Sequence, residues 1–331
     1  MERREFLKSA ALAAIATTTI QPAEAFAPQS QEIPYRTLGR TGEKVSVLGI
    51  GGYHIGSSVV SADQATRVVR TALDSGVNFL DNCWDYNDGE SEVRMGKALK
   101  NGYRKKAFLM TKIDGRTRAS AQQQLEQSLN RLQTDHLDLI QIHEVIRMSD
   151  PEKVFASGGS LEYLEQARKE GKVRFIGFTG HKSPEIHLHM IDVAKQHSYT
   201  FDTVQMPLNV MDAHFDSFTK KVLPVAASLN MGILGMKPMA DGFILQSKTA
   251  GPVECLHYAM NLPITTVITG CDSMEVLDQA LDAARSFRPL SQDQVAAILS
   301  KTANVAQAGR FEPYKTSTQF DGTGHNPQWL G

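Results

Sequence analysis

The sequence places Asp81, Lys112 and His143 at the ends of three consecutive apolar runs, with Tyr86 five residues past Asp81 in "DNCWDYNDGESE". These four side-chain types can together move a proton. A free phenol titrates near pH ~10, too high for efficient acid catalysis at neutrality. A neighbouring ammonium favours the phenolate and lowers that pKa, so Lys112 is expected to tune Tyr86. Asp81 would hold Lys112 charged and in place. Tyr86 then protonates a carbonyl oxygen as hydride reaches the carbon. A neutral His143 hydrogen-bonds the same oxygen and orients the substrate. None of the four carries hydride, so a nicotinamide has to supply it. Singly, a strand-terminal Asp is most often a cap and a lone Tyr, Lys or His is most often structural. Four at matching positions on three consecutive units are hard to explain that way.

The elements that must position them recur along the chain. The apolar runs are "VLGIG" (47–51), "NFLD" (78–81), "AFLMTK" (107–112), "LDLIQIH" (137–143), "RFIGFTG" (174–180), "FDTVQM" (201–206), "ILGMKP" (233–238) and "TVITG" (266–270). Their ends fall roughly 25 to 37 residues apart, which suits a strand, a loop and a helix. They are apolar on both faces, as parallel strands under helices are. Helical patterns lie between them. Leu125, Leu129 and Leu132 form one stripe; Ser183 caps and Pro184 opens a helix carrying Ile186, Met190 and Val193. A later helix carries Val276, Leu277, Ala280 and Ala284 on its apolar stripe.

Eight such units predict an α/β fold, a closed (β/α)8 TIM barrel. An open doubly wound sheet is the runner-up, but "LGIGGYHIG" lacks the GxGxxG spacing that usually opens one. An N-terminal hairpin ("IPYRTLGRTGEKVS"), an extra C-terminal helix ("LSQDQVAAILSKTANVAQ") and an aromatic, turn-rich tail complete one domain over residues 31–331. In such a barrel, chemistry collects at the C-terminal ends of the strands.

Composition excludes several classes. Over 331 residues the formal net charge is -1, which is no nucleic-acid footprint. Cys83, Cys255 and Cys271 are scattered and form no CxxC pair, so neither a disulfide framework nor a zinc site is expected. The N-terminus, "MERREFLKSAALAAIATTTIQPAEAFA", pairs Arg3 and Arg4 ahead of a short apolar run and an A-x-A site at Ala23 and Ala25. The run is too short to span a bilayer, which takes about 20 residues. It reads as a twin-arginine (Tat) export signal over residues 1–30, cleaved after Ala25. A soluble, periplasmic or otherwise exported protein is expected, with the Tat machinery as a partner and no stable membrane anchor.

The chain resembles the aldo/keto reductases. The resemblance rests on "YRTLGRTGEKVSVLGIGG", "GVNFLDNCWDYNDGESEVRMGKAL", "FLMTKI", "LDLIQIH", "GKVRFIGFTGH", "VQMPLN", "GMKPMADG" and "VITG", in the family's order over most of residues 33–290. It implies that Asp81, Tyr86, Lys112 and His143 are the family's catalytic tetrad, with Tyr86 as proton donor to a small carbonyl substrate. It also implies a bound NAD or NADP, held by Gly52, Tyr53, Asp81, Thr179, Gly180, His181, Gln205, Met236, Lys237, Pro238, Gly270, Asp272, Ser273 and Gln279. There are departures. Thr179-Gly180-His181 stand where members carry Ser-Asn at the nicotinamide carboxamide, and Met236 stands where many place a stacking Tyr. Asp272 and Ser273 follow the eighth strand where NADP-preferring members offer Lys or Arg, which favours NAD over NADP.

Other constellations point elsewhere. "GHKSPEIHLH" invites a metal reading, but His187 and His189 are two apart on a helix and face different ways, so a solvated helix is expected. No metal and no iron–sulfur cluster are expected. "DPEKVFASGGS" reads as a mobile loop over the barrel mouth, shaping the pocket with Phe311, Tyr314, Phe320 and Trp329. Two other functions fit the same residues: a non-catalytic nucleotide-binding regulator on the same barrel, and a Schiff-base lyase using Lys112.

Overall fold

The computed structural model of the chain describes residues 32–331, so the expected export signal lies outside the described residues. A hairpin, β1 (Tyr35–Thr37) and β2 (Lys44–Ser46), precedes the barrel. The eight apolar runs form β3 (Leu48–Gly51), β4 (Phe79–Asp81), β5 (Phe108–Ile113), β6 (Leu137–Ile142), β7 (Val173–Thr179), β8 (Thr203–Pro207), β9 (Gly232–Met236) and β10 (Thr266–Gly270). Each pairs in parallel with the next, and β10 pairs with both β9 and β3, which closes the barrel. The register sets Gly51 beside Asp81 and Lys112 beside Gln141, so the strand ends share one rim.

Inside the barrel, Phe79, Phe108, Met110, Leu139, Leu234 and Ile268 pack with Leu38 and Val45 of the hairpin. Fully burying each of the large side chains contributes about 1.5–3 kcal/mol. The hairpin therefore plugs the N-terminal end, opposite the catalytic rim. Gly39 is required there: it adopts φ +48°, and a Cβ on it would lie 2.3 Å from the Gly232 nitrogen. The helices form the outer ring and start at sequence-readable caps. Thr117 and Ser120 make a reciprocal box before Arg118–Leu132, Ser183 caps Pro184–Gln196, and Ser291 with Gln294 opens the extra helix Gln292–Ala303. Leu277, Ala280 and Ala284 pack inward, but Val276 is 36% exposed. It sits in the first turn of Met274–Ser286, beside the rim, rather than on the core stripe.

Two expectations are corrected. The 150–160 segment is not a loop over the mouth. Asp150–Phe155 is a helix with Pro151 in its first turn, packed against the helices Ser160–Lys169 and Pro184–Gln196. The buried Asp150 anchors it, pairing with Arg116 Nε at 3.3 Å and accepting from the Ile146 and Arg147 amides. The tail, although it lacks a helical period, folds into the short turns Pro313–Thr316, Gly322–His325 and Pro327–Leu330. Its amides at Gly322 and Thr323 donate to Glu144 at 2.8 and 2.7 Å, and Trp329 packs edge-on against Trp84.

His187 is not on a solvated face. It is fully buried between Phe178 and Phe218, with Nε2 3.3 Å from the Gln205 carbonyl and Nδ1 unpaired. Burial lowers its pKa to about 4. The folded value lies below the unfolded one, so this group's stability is complete above pH ~6.5 and is lost as pH falls toward 4. We expect His187→Gln to flatten the acid limb of the stability curve. The difference from wild type between pH 7 and pH 4, read by urea titration, should be on the order of 3 kcal/mol. Parallel curves for the two proteins would show that His187 is not charged on unfolding.

Candidate active site

The rim assembles the site from loops that sequence reasoning singled out and from others that it did not. Lys112, at the end of β5, is buried, and its ammonium has three acceptors. Lys112 Nζ donates to Asp81, to the Asn82 carbonyl at 2.7 Å and to Tyr86 Oη at 3.2 Å. The ammonium also lies 4.6 Å from the Tyr86 ring centroid. Burial is the largest single effect and opposes its charge, but Asp81, Tyr86 and Cys83 together outweigh it and the pKa is raised. The ammonium is therefore permanent at neutral pH. Tyr86 itself departs from expectation. Burial pushes its phenol well above 10, and Lys112, pulling the other way, is outweighed. The phenol stays protonated at neutral pH, the form a proton donor needs.

The Tyr86 ring stands edge-on to Tyr53 at 5.4 Å and to His143 at 5.8 Å. His143 also departs from expectation. Burial disfavours its charge, but Asp85 and then Asp114 outweigh burial and raise its pKa. Asp114 Oδ1 lies 2.9 Å from Nδ1, which leaves Nε2 as the nitrogen available to a ligand. Asp85 and Asp114, beside this imidazole, were missed in the sequence. Asp85 was visible one residue before Tyr86, but Asp114 reads as an ordinary residue after a strand.

A cavity of ≈ 550 Å³ opens above these groups, a size typical of small-molecule sites. It is lined by Tyr53, Tyr86, His143, His181, Lys237, Pro238, Gly270 and Asp272 of the expected set. Asp81, Thr179 and Gln205 lie at the strand ends, each at most 3% exposed. Gly52, Gly180, Met236, Ser273 and Gln279 are outside the lining; Gln279 is exposed on its helix, and Ser273 caps that helix by accepting from the Val276 amide. Unforeseen lining comes from His54, Asn87, Glu144, Asp241 and Gln319. Phe320 is the one tail aromatic of the expected four that reaches the cavity. Asn87, Asp88, Glu144, Lys237, Ala240 and Asp241 all take positive φ values without being glycine. Such strain gathers where a site is pre-organised.

The donor set fits a nicotinamide nucleotide. Thr179 Oγ1 and Gln205 Oε1 are buried without partners at adjacent strand ends. Buried polar atoms are normally satisfied, and a carboxamide can donate to Gln205 and accept from Thr179. Gln205 is held for this by Nε2, which donates to Asp81 Oδ2 at 2.5 Å. Gly270 lets His54 approach, since a Cβ there would lie 2.0 Å from His54 Nδ1. Lys237, held over the Tyr314 and Phe320 rings, is the cation nearest the cavity among the described Lys and Arg side chains that line it.

Known proteins resemble this chain in sequence and in fold. The model of the aldo/keto reductase family matches residues 47–254. L-galactose dehydrogenase of Arabidopsis thaliana is 27% identical over 320 residues, covering 83% of this chain and 97% of that protein. A putative voltage-gated potassium channel subunit beta of Schizosaccharomyces pombe is 26% identical over 246 residues, 70% of this chain and 67% of that one. The fold is that of aldo-keto reductase AKR11C1 from Bacillus halodurans in its holo form, with a TM-score of 0.69 at 22% identity, covering 84% of this chain and 100% of that chain. With the family model spanning β3 to the helix before β10, this chain belongs to the aldo/keto reductase family and is an NAD(P)-dependent oxidoreductase.

Proposed function

We propose that the protein interconverts a carbonyl and an alcohol on a small hydroxylated substrate, with Tyr86 as general acid and NAD as the preferred nucleotide. The observation that carries this reading is the contact of Lys112 Nζ with Tyr86 Oη at 3.2 Å, beside a buried Asp81. The nicotinamide supplies hydride when bound. Gln205 and Thr179 hold its carboxamide, and Tyr53 and Lys237 flank the opening. His143 donates from Nε2 to the substrate oxygen and orients it. Tyr86 gives its proton to that oxygen, and the fixed Lys112 charge stabilises the phenolate left behind. The polar lining from Asn87, Glu144 and Gln319 suits a hydroxylated substrate, as does the sugar named for the Arabidopsis relative.

The preference for NAD rests on Asp272, which is exposed at the cavity edge where a 2′-phosphate would meet its charge. Calorimetry should give tighter binding of NADH than of NADPH. Asp272→Arg should move the ratio of the two affinities toward NADPH by about tenfold, as a reversal of one charge near a surface phosphate implies. An unchanged ratio would remove Asp272 from nucleotide selection. Gln205→Leu should weaken both nucleotides together.

Two other readings are less well supported. A regulator related to channel subunits would not need the intact Asp81–Lys112–Tyr86 contacts. A Schiff-base lyase needs a neutral amine, whereas Lys112 is 1% exposed and paired with Asp81. Export by the Tat route is part of the proposal, with the nucleotide bound before translocation. Fractionation of cells expressing the full chain tests it: activity confined to the cytoplasm, with residues 1–25 retained, would reject it. Among the described residues no helix is long and apolar enough to cross a membrane.

A further inference from the structure

Three groups converge on Nδ1 of His143. Asp114 Oδ1 lies 2.9 Å from His143 Nδ1, Cys83 Sγ lies 3.2 Å from it, and Asp85 Oδ1 lies 3.6 Å from it. One ligand atom from each of these four residues, His143 included, lies within 4.8 Å of every other. Bonds of about 2.0–2.3 Å to a tetrahedral ion put neighbouring ligand atoms about 3.3–3.7 Å apart, close to the spacing present here.

The charges are not otherwise balanced. Asp114 is fully buried with Oδ2 unpaired, and Asp85 Oδ1 is buried without a hydrogen-bond donor. The nearby cations are committed elsewhere. Lys112 pairs with Asp81, and Arg116 pairs with Asp150 and donates to the Asp114, His143 and Glu144 carbonyls. His143 is the one cationic partner of Asp85 and Asp114 among the described residues. A proton on Nδ1 reaches a single acceptor. It cannot satisfy two carboxylates together, whereas a divalent ion can; the Cys83 thiol itself donates to the Lys112 carbonyl at 3.8 Å.

We propose that Cys83, Asp85, Asp114 and His143 bind one zinc ion behind the catalytic imidazole. One thiolate, one imidazole and two carboxylates suit a borderline ion such as zinc or cobalt(II) better than magnesium or calcium. The Cys83 proton and the proton on His143 Nδ1 leave to solvent as the thiolate and the ring nitrogen take the metal. Nδ1 on the ion leaves the ring proton on Nε2, so the ion positions His143 as a donor toward the cavity. This departs from the metal-free expectation, because the ligands are spread from 83 to 143 with no spacing motif.

The test is cobalt titration of the full chain, reduced, chelator-free and without a histidine tag. The expected result is one equivalent bound, with a near-ultraviolet thiolate-to-cobalt band and the intense visible bands of a four-coordinate ion, both lost on adding one equivalent of zinc. Cys83→Ser should abolish the thiolate band, and Asp114→Asn should weaken binding at least about tenfold. Circular dichroism checks that each variant is folded. If a variant fails to fold, the wild-type spectrum decides alone. Absence of the thiolate band, or binding indifferent to both substitutions, would mean an adventitious ion and overturn the proposal. The readout is binding, so it stands or falls separately from the redox reading.

Discussion

Tyr86→Phe should lower turnover by roughly 10²–10⁴-fold, the usual contribution of a positioned general acid. The substitution removes one oxygen and leaves the ring. The phenyl ring left at this position would keep the edge-on contacts to Tyr53 and His143. Lys112 would keep Asp81 and the Asn82 carbonyl as acceptors. Nucleotide affinity and melting temperature should therefore stay near wild type, and the loss should fall on kcat rather than on binding. Stopped-flow measurement of nicotinamide absorbance in a single turnover isolates the step from product release. Turnover within a few-fold of wild type would assign the proton to another donor, with His143 Nε2 next in reach of the cavity.

Much of this site can be read in the sequence because strand ends are marked by composition. Asp81, Lys112 and His143 each close an apolar run, and the barrel's parallel register brings such closing residues to one rim. Helix caps such as Thr117, Ser183 and Ser291 are equally local signals. What the sequence does not carry is the balance of burial against charge. The Lys112 charge does pull the Tyr86 pKa down, yet desolvation in a closed site is the larger effect. His143 goes the other way, because Asp85 and Asp114 arrive from different loops and outweigh its burial. His187 looked solvated beside His189 because a helix of mixed pattern does not announce which neighbour covers it. Residues 150–160 read as a loop, although Pro151 in the first turn is compatible with a helix. The tail's place at the cavity depends on Glu144 accepting two of its amides, a contact between residues 178 and 179 positions apart. No local pattern encodes it.

Lys112→Met separates what the lysine does for the fold from what it does for the reaction. Removing the ammonium leaves Asp81 buried with Gln205 Nε2 as its remaining side-chain donor. An orphaned partner of a buried ion pair costs about 3–5 kcal/mol, so the single variant should lose that much in urea titration. It should also be inactive, since Tyr86 loses the charge that stabilises its phenolate. Taken alone, that inactivity is ambiguous, because a weakened fold also lowers activity. The variant carrying both Lys112→Met and Asp81→Leu resolves it. Replacing a buried pair by apolar side chains is often neutral or better, so most of the lost stability should return, less the cost of leaving the Gln205 amide without Asp81. Turnover should not return. If the double variant recovers stability and activity together, the lysine is only a structural counter-ion, and Tyr86 works without an electrostatic partner. Stability regained with activity still absent would place the Asp81–Lys112 pair in the reaction, because the fold would then be intact while the charge beside the phenol and the anchor of Gln205 are gone.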